Sequence, residues 1–243
     1  MRDLGDLPFE VQQVVASWLD GLDTILGPRL HAAYMYGSWV FPGSWVQDVD
    51  ADVIVSDPFD DDDRTAVGEL HDRLRTTPPG DDMDIWYILL DEARGRALPQ
   101  TQLRPGFRSR AWALHRAHIH AGACIPLRGP EPAAIVPEAT WPEIDEALQS
   151  ELDFVTEARS RYPQFSVLNG CRVLWSYTAG DVVVSKQEAS DWALGTLPSE
   201  WHPVIRAAQA VYGRTASDED RATVAERAET FDEFVRERVA RLR

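Results

Sequence analysis

The sequence predicts an α+β fold: an N-terminal domain with a mixed sheet and flanking helices, followed by an all-helical C-terminal domain. Up to about residue 135, short apolar runs typical of strands alternate with segments of helical periodicity, and beyond it only helical signals continue. Apolar residues make up 44% of the 243, and nine are Trp, which is enough to bury a sizeable core. The predicted division is therefore 1–135 and 136–243.

Chain breakers and periodicity define the N-terminal elements. Asp57-Pro58 ends a strand, and the acids Asp60 to Asp63 suit the first turn of a helix, where they complement its dipole. The predicted segments are a helix over 8–26, strands over 31–36 and 48–56 joined by a loop, a helix over 60–75, a strand over 83–90, a loop over 91–106, a helix over 108–121 and an extended segment over 125–130.

The C-terminal domain shows helix signals alone. Ser185 with Glu188, and Ser217 with Asp220, have the spacing of capping boxes, in which each side chain satisfies a free backbone N–H of the first turn. The predicted helices cover 140–160, 166–179, 185–195, 199–212 and 218–241.

Charge and composition limit the partners. A formal net charge of −16 argues against nucleic acid, and it fits either attraction of a cationic small molecule or acidity that serves solubility alone. The apolar runs are too short for a membrane span, and the N-terminus lacks a signal-peptide pattern. Cys124 and Cys171 have no metal-site or disulfide-framework spacing. We therefore expect a cytoplasmic protein, and a monomer.

The most informative motif is the turn Gly37-Ser38 followed by Asp48-Val49-Asp50. Residues two apart on a strand share a face, so Asp48 and Asp50 can together hold a divalent cation. Backbone N–H groups at the turn can cradle a phosphate. The alternative is an ordinary turn beside a solvated strand edge, and Asp52, which shares the same face, remains a possible ligand in place of Asp48.

With these residues in view, the chain resembles the aminoglycoside nucleotidyltransferases of the streptomycin/spectinomycin adenylyltransferase type, within the polymerase-β-like superfamily. Tyr36-Gly37-Ser38 and Asp48-Val49-Asp50 carry the resemblance at the front. At the back it is carried by Arg172, Trp175, Thr178, Gly180, Ser185-Lys186, Ala189, Asp191-Trp192, Leu197-Pro198, Ile205-Arg206-Ala207-Ala208-Gln209 and Tyr212.

The resemblance implies an ATP-dependent, Mg²⁺-dependent nucleotidyltransferase that moves AMP to a hydroxyl of a small acceptor, and hence antibiotic resistance. Mg²⁺ would be held by Asp48 and Asp50, with Asp84, where the family has a glutamate, as general base or third metal ligand. The implied ATP-binding residues are Gly37, Ser38, Arg172, Lys186 and Tyr212, and the helical domain would complete the nucleotide and acceptor cleft.

The acceptor is expected to be hydroxylated and cationic, with spectinomycin favoured over streptomycin. Val155 stands where the family has an aromatic residue that recognises streptomycin, and Trp112 is the candidate for a drug-contacting tryptophan. His115, His118 and His120 have no acidic partner at metal-ligand spacing and are interpreted as surface or core histidines. The alternatives are another acceptor (a lincosamide, a metabolite or a protein) or a degenerate nucleotide-binding regulatory protein.

Overall fold

The structure, a computed structural model, describes residues 3–45 and 48–243. It divides into two compact units. The first contains the described residues before Gly43 and those from Asp48 to Thr140, and the second contains Gly43–Trp45 with Trp141–Arg243. The sequence predicts that the first domain ends at residue 135, and the first compact unit of the structure ends at Thr140. Residues 46 and 47 of the predicted loop before Asp48 lie outside the described residues.

The first unit is built on a mixed four-stranded sheet. Its strands are β1 (Leu30–Tyr36), β2 (Val49–Val55), β3 (Met83–Leu89) and β4 (Ile125–Arg128). Their order is β3-β2-β1-β4, with β1 antiparallel to β2 and β4, and β2 parallel to β3. Its helices are α1 (Phe9–Leu26), α2 (Asp61–Leu74), α3 (Leu90–Ala93) and α4 (Trp112–His120). The predicted mixed sheet is confirmed. The first residues of the loop predicted over 91–106 belong instead to the short helix α3.

Helices cover both faces of this sheet, which explains why its strands are apolar on both sides. One face packs against Trp18 and Leu22 of α1 and Val67 of α2. The opposite face packs against Trp112 and Ile119 of α4. The candidate site residues of β1, β2 and β3 described below lie on this second face.

The second unit is helical. It contains α5 (Trp141–Ala158), α6 (Pro163–Ala179), α7 (Lys186–Thr196), α8 (His202–Tyr212) and α9 (Asp218–Leu242). Helix α6 is central, since α5, α7, α8 and α9 all pack against it. The capping boxes predicted at Ser185 and Ser217 are both confirmed. In the described residues, no helix combines the length and apolar character needed to cross a membrane.

Candidate active site

Three polar side chains form a row across the second face of the sheet. In the strand register, Tyr36 of β1 lies opposite Asp50 of β2, and Asp50 lies opposite Asp84 of β3. Directly paired residues point to the same face, and neighbouring strands are about 4.8 Å apart. Asp48 comes directly before β2, two residues from Asp50. The register therefore brings together Asp50 and Asp84, which lie far apart in the sequence.

The turn after β1 is shaped to receive the Asp50 carboxylate. Gly37 has a φ of +75°, a conformation that favours glycine. A Cβ at Gly37 would lie 1.9 Å from Oδ2 of Asp50, so the carboxylate rests directly against the backbone of the turn. Trp39 joins the turn to the start of β2 by donating from Nε1 to the backbone oxygen of Asp48 at 2.7 Å.

Ser38, the other turn residue, carries a side chain suited to a ligand. Its Oγ is shielded from solvent and has no hydrogen-bond partner among the residues that the structure describes. Because an unpaired buried hydroxyl is costly, a ligand oxygen that accepts from it would relieve the penalty. This environment is compatible with the predicted phosphate contact.

Negative charge is concentrated around Tyr36. Burial raises the pKa of its phenol well above the usual value, and the carboxylates of Asp52, Asp50, Asp84 and Asp48 raise it further. Four acids thus act on one buried hydroxyl. A cation among them would lower their mutual repulsion.

Asp52 lies deepest of the four acids and pairs with a side chain of α4. Its side chain has no exposed surface, and Oδ1 lies 3.2 Å from Nδ1 of His115. Burial raises the pKa of Asp52, and His115 partly opposes that shift. This environment favours Asp48 over Asp52 as the second metal ligand beside Asp50.

One sequence-based interpretation on α4 is wrong, that of Trp112 as a drug contact. His115 pairs with Asp52, which lies 63 positions away in the sequence, so no local spacing reveals the pair. Trp112 is fully buried in the core of the first unit and is not placed to contact an acceptor. His118 is buried, as expected of a core histidine, with Nδ1 2.9 Å from the backbone oxygen of Leu114.

The carboxylates suit a cation that arrives with its substrate. Across residues 3–45 and 48–243, no group of three or more Asp, Glu, His or Cys side chains forms a ready metal site. Mg²⁺ usually takes only one or two protein carboxylates and fills its shell with phosphate oxygens and water. The donor chemistry of Asp48 and Asp50 fits that mode, with Asp84 beside them.

In the second unit, two of the residues predicted to bind the nucleotide lie together. Nζ of Lys186 lies 3.0 Å from the hydroxyl of Tyr212, and it also lies over two rings, 4.9 Å from the centroid of Tyr212 and 5.1 Å from that of Phe165. Trp45 packs against Tyr212 with a centroid distance of 6.0 Å. Arg172 lies on α6 and is partly exposed. This cluster contains a cation held by aromatic rings.

Lys186 is unusual in three ways. It is the one lysine in the whole sequence, and it forms no ion pair with a carboxylate within the part of the chain that the structure describes. It also occupies the first position of α7, where the helix dipole favours an anion over a cation. An anionic ligand here would interact favourably both with the ammonium group of Lys186 and with the partial positive charge at the N-terminus of α7.

Two comparisons with known proteins gave matches. Residues 135–238 match the family model "Aminoglycoside adenylyltransferase, C-terminal domain". Among solved structures, the chain is similar to the spectinomycin adenyltransferase AAD(9) from Enterococcus faecialis, solved with ATP and spectinomycin. That match has a TM-score of 0.79 at 15% identity and covers 92% of this chain and 98% of that one.

The comparison with curated protein sequences gave no match. The resemblance inferred from the sequence motifs and the predicted α+β fold are nevertheless both confirmed. The chain therefore has the fold of a spectinomycin adenylyltransferase, and residues 135–238 match the C-terminal domain of the aminoglycoside adenylyltransferases.

Proposed function

We propose that this protein is a Mg²⁺-dependent nucleotidyltransferase that moves AMP from ATP to a hydroxyl of an aminoglycoside-like small molecule. The observation that carries the proposal is the carboxylate row Asp50–Asp84 beside the Gly37-Ser38 turn, with Asp50 in contact with the turn itself. The fold similarity to an adenylyltransferase solved with ATP and spectinomycin supports it.

In this proposal, the turn and the β2 carboxylates bind the triphosphate. The backbone of Gly37 and Ser38 and the Ser38 hydroxyl contact phosphate oxygens, while Asp48 and Asp50 hold Mg²⁺. When bound, Mg²⁺ would neutralise phosphate charge and so favour departure of pyrophosphate. Lys186, Tyr212 and Arg172 of the helical unit bind the nucleotide.

Asp84 is proposed to accept the proton of the acceptor hydroxyl. Its side chain is exposed and lies beside Asp50 in the strand register. The hydroxyl oxygen bonds to the α-phosphorus, the bond from that phosphorus to the bridging oxygen breaks, and pyrophosphate leaves with the electron pair. The proton moves to a carboxylate of Asp84, which is the ordinary role of a general base.

The acceptor is proposed to be cationic, and spectinomycin is favoured over streptomycin. The net charge of −16 attracts a cation over long range. At Val155, where a streptomycin-recognising aromatic residue would stand, the side chain is only 1% exposed. A buried valine offers no surface to a drug, which is why streptomycin is the less favoured acceptor.

The test is pyrophosphate release from MgATP with spectinomycin and with streptomycin in parallel. Asp50→Asn is expected to lower kcat by about a hundredfold or more, because a charge that stabilises the transition state is lost. Asp84→Asn should lower kcat by about 10²–10⁴-fold, the usual contribution of a general base. Asp81→Asn is the matched control, since Asp81 is an exposed acid in the loop before β3.

Two results would count against the proposal. If MgATP binds but no aminocyclitol supports pyrophosphate release, the acceptor assignment fails and a different acceptor or a regulatory role replaces it. If Asp50→Asn turns over like Asp81→Asn, the assignment of the metal carboxylates fails.

A further inference from the structure

Helix α4 delivers His115 to the carboxylate face of the sheet. The imidazole packs at a tilt against Trp86, with a centroid distance of 4.6 Å, and against Tyr36 at 4.8 Å. Nδ1 lies 3.2 Å from Oδ1 of Asp52. The Tyr36 oxygen lies 3.0 Å from Nδ1 and 3.3 Å from Nε2. His115 is thus the hub of a buried cluster next to the row that contains Asp50.

The hydrogen bonds of this cluster form a chain. The carboxylate of Asp52 can only accept, so Nδ1–H of His115 donates to it. With that proton on Nδ1, Nε2 is the ring nitrogen that can accept from the hydroxyl of Tyr36, at 3.3 Å, and the same hydroxyl oxygen also lies 3.0 Å from Nδ1. The order carboxylate, imidazole, hydroxyl is that of a nucleophilic triad. Here, however, the hydroxyl belongs to a phenol, which keeps its proton at neutral pH and therefore serves as a fixed donor.

The cost of the cluster indicates a role beyond packing. Asp52 is fully buried between Ala51 and Val53, which are also fully buried. Its Oδ2 has no hydrogen-bond partner among the described residues. A buried carboxylate without a full set of partners is destabilising, and an apolar residue would fill the centre of a sheet at lower cost.

We propose that Asp52 and His115 are positioning residues of the transfer site: they fix Tyr36, which is the strand partner of Asp50, and thereby hold the Asp50–Asp84 row in place. The proposal rests on the proposed function. Residues that orient metal-binding side chains through hydrogen bonds commonly matter almost as much as the ligands themselves.

His115→Phe is the central variant. Phenylalanine keeps an aromatic ring between Trp86 and Tyr36 but removes both hydrogen bonds. It also leaves the Asp52 charge unpaired, so the variant is expected to melt at a lower temperature. The double variant Asp52→Asn/His115→Phe removes that charge and is expected to regain part of the lost stability. His120→Phe is the control, with the same substitution at the end of the same helix.

Three quantities are measured in each variant: the melting temperature, the Kd of MgATP by calorimetry, and kcat with KM for pyrophosphate release. Both His115→Phe and the double variant are expected to lose about ten- to hundredfold in MgATP affinity or kcat, the range typical for residues behind a metal site. His120→Phe should match the wild type. Tyr36→Phe, combined with His115→Phe, should add little further loss, because both changes break one chain of hydrogen bonds.

The proposal is overturned if the double variant recovers its melting temperature and also binds MgATP and turns over like the wild type, because the cluster would then be purely structural. Binding separates this outcome from failure of the proposed function. A wild type that binds MgATP but uses no acceptor refutes the proposed reaction, while the Kd series still decides whether His115 positions the site.

Discussion

Replacing Gly37 by alanine tests the most specific feature of the site, the contact between the turn and Asp50. The new Cβ would lie 1.9 Å from Oδ2, 2.8 Å from Cγ and 3.0 Å from Cβ of Asp50. Ordinary contact begins at 3.4 Å, so Oδ2 must retreat by about 1.5 Å. A displacement of about 1 Å at a reacting centre can cost a hundredfold in rate.

The same substitution also strains the backbone. At a φ of +75° an alanine costs roughly 1–2 kcal/mol. For a chain of this size, that corresponds to a fall of about 2–8 °C in melting temperature. We therefore expect Gly37→Ala to fold, to melt slightly lower, and to lose about a hundredfold or more in kcat.

Gly106→Ala separates the two effects. Gly106 lies in the same unit with a φ of +86°, and a Cβ there would meet nothing within 4 Å. It should share the loss of stability but keep full activity. The assays are scanning calorimetry and pyrophosphate release from MgATP. If Gly37→Ala kept a kcat close to that of Gly106→Ala, the placement of the Asp50 carboxylate would be irrelevant to catalysis.

Three further predictions follow. MgATP should protect Lys186 from an amine-reactive acylating reagent, measured by mass spectrometry of the single lysyl peptide, and unchanged labelling would contradict a phosphate contact. Burial lowers the pKa of His71 to about 4, so the unfolded chain takes up a proton first, and up to about 3 kcal/mol of stability present above pH 6.5 is lost towards pH 4. Urea titrations at both pH values check this, and His71→Gln should flatten the slope. Asp63→Asn should cost about 2 kcal/mol by weakening the paired 2.6 Å bonds to Arg29, seen as a lower melting temperature.

Elements set by local chemistry were predictable from the sequence. The capping box at Ser185 and Glu188 marks the start of α7 because both side chains satisfy backbone N–H groups within one turn. Asp60 and Asp63 do the same for α2, where the acidic run is a helix start. The start of α4 was predicted less accurately: the predicted helix begins at residue 108, whereas α4 begins at Trp112. The loop before it is rich in Gly, Pro and Arg and gives no capping-box signal.

Contacts distant in sequence were not predictable in this way. The register that sets Asp50 beside Asp84 depends on the parallel pairing of β2 and β3, which the chain reaches only after crossing α2. Lys186 was selected by family resemblance alone. Yet composition also isolates it, because a chain with 24 basic residues contains a single lysine. That count is a signal available to sequence analysis.

The depth of each acid along β2 is what distinguishes carboxylates that look equivalent in sequence. Asp48, Asp50 and Asp52 are two positions apart and share one face of the strand, so periodicity alone makes all three equally good candidates to bind a cation. The strand, however, runs from the partly exposed edge at Asp48 and Asp50 into the core, where Asp52 is fully buried. At that depth a carboxylate needs a partner from the protein itself, and His115 supplies it. In the proposed function, a cation that arrives with a nucleotide would therefore reach only the beginning of the strand, and Asp52 would support the site from within the core.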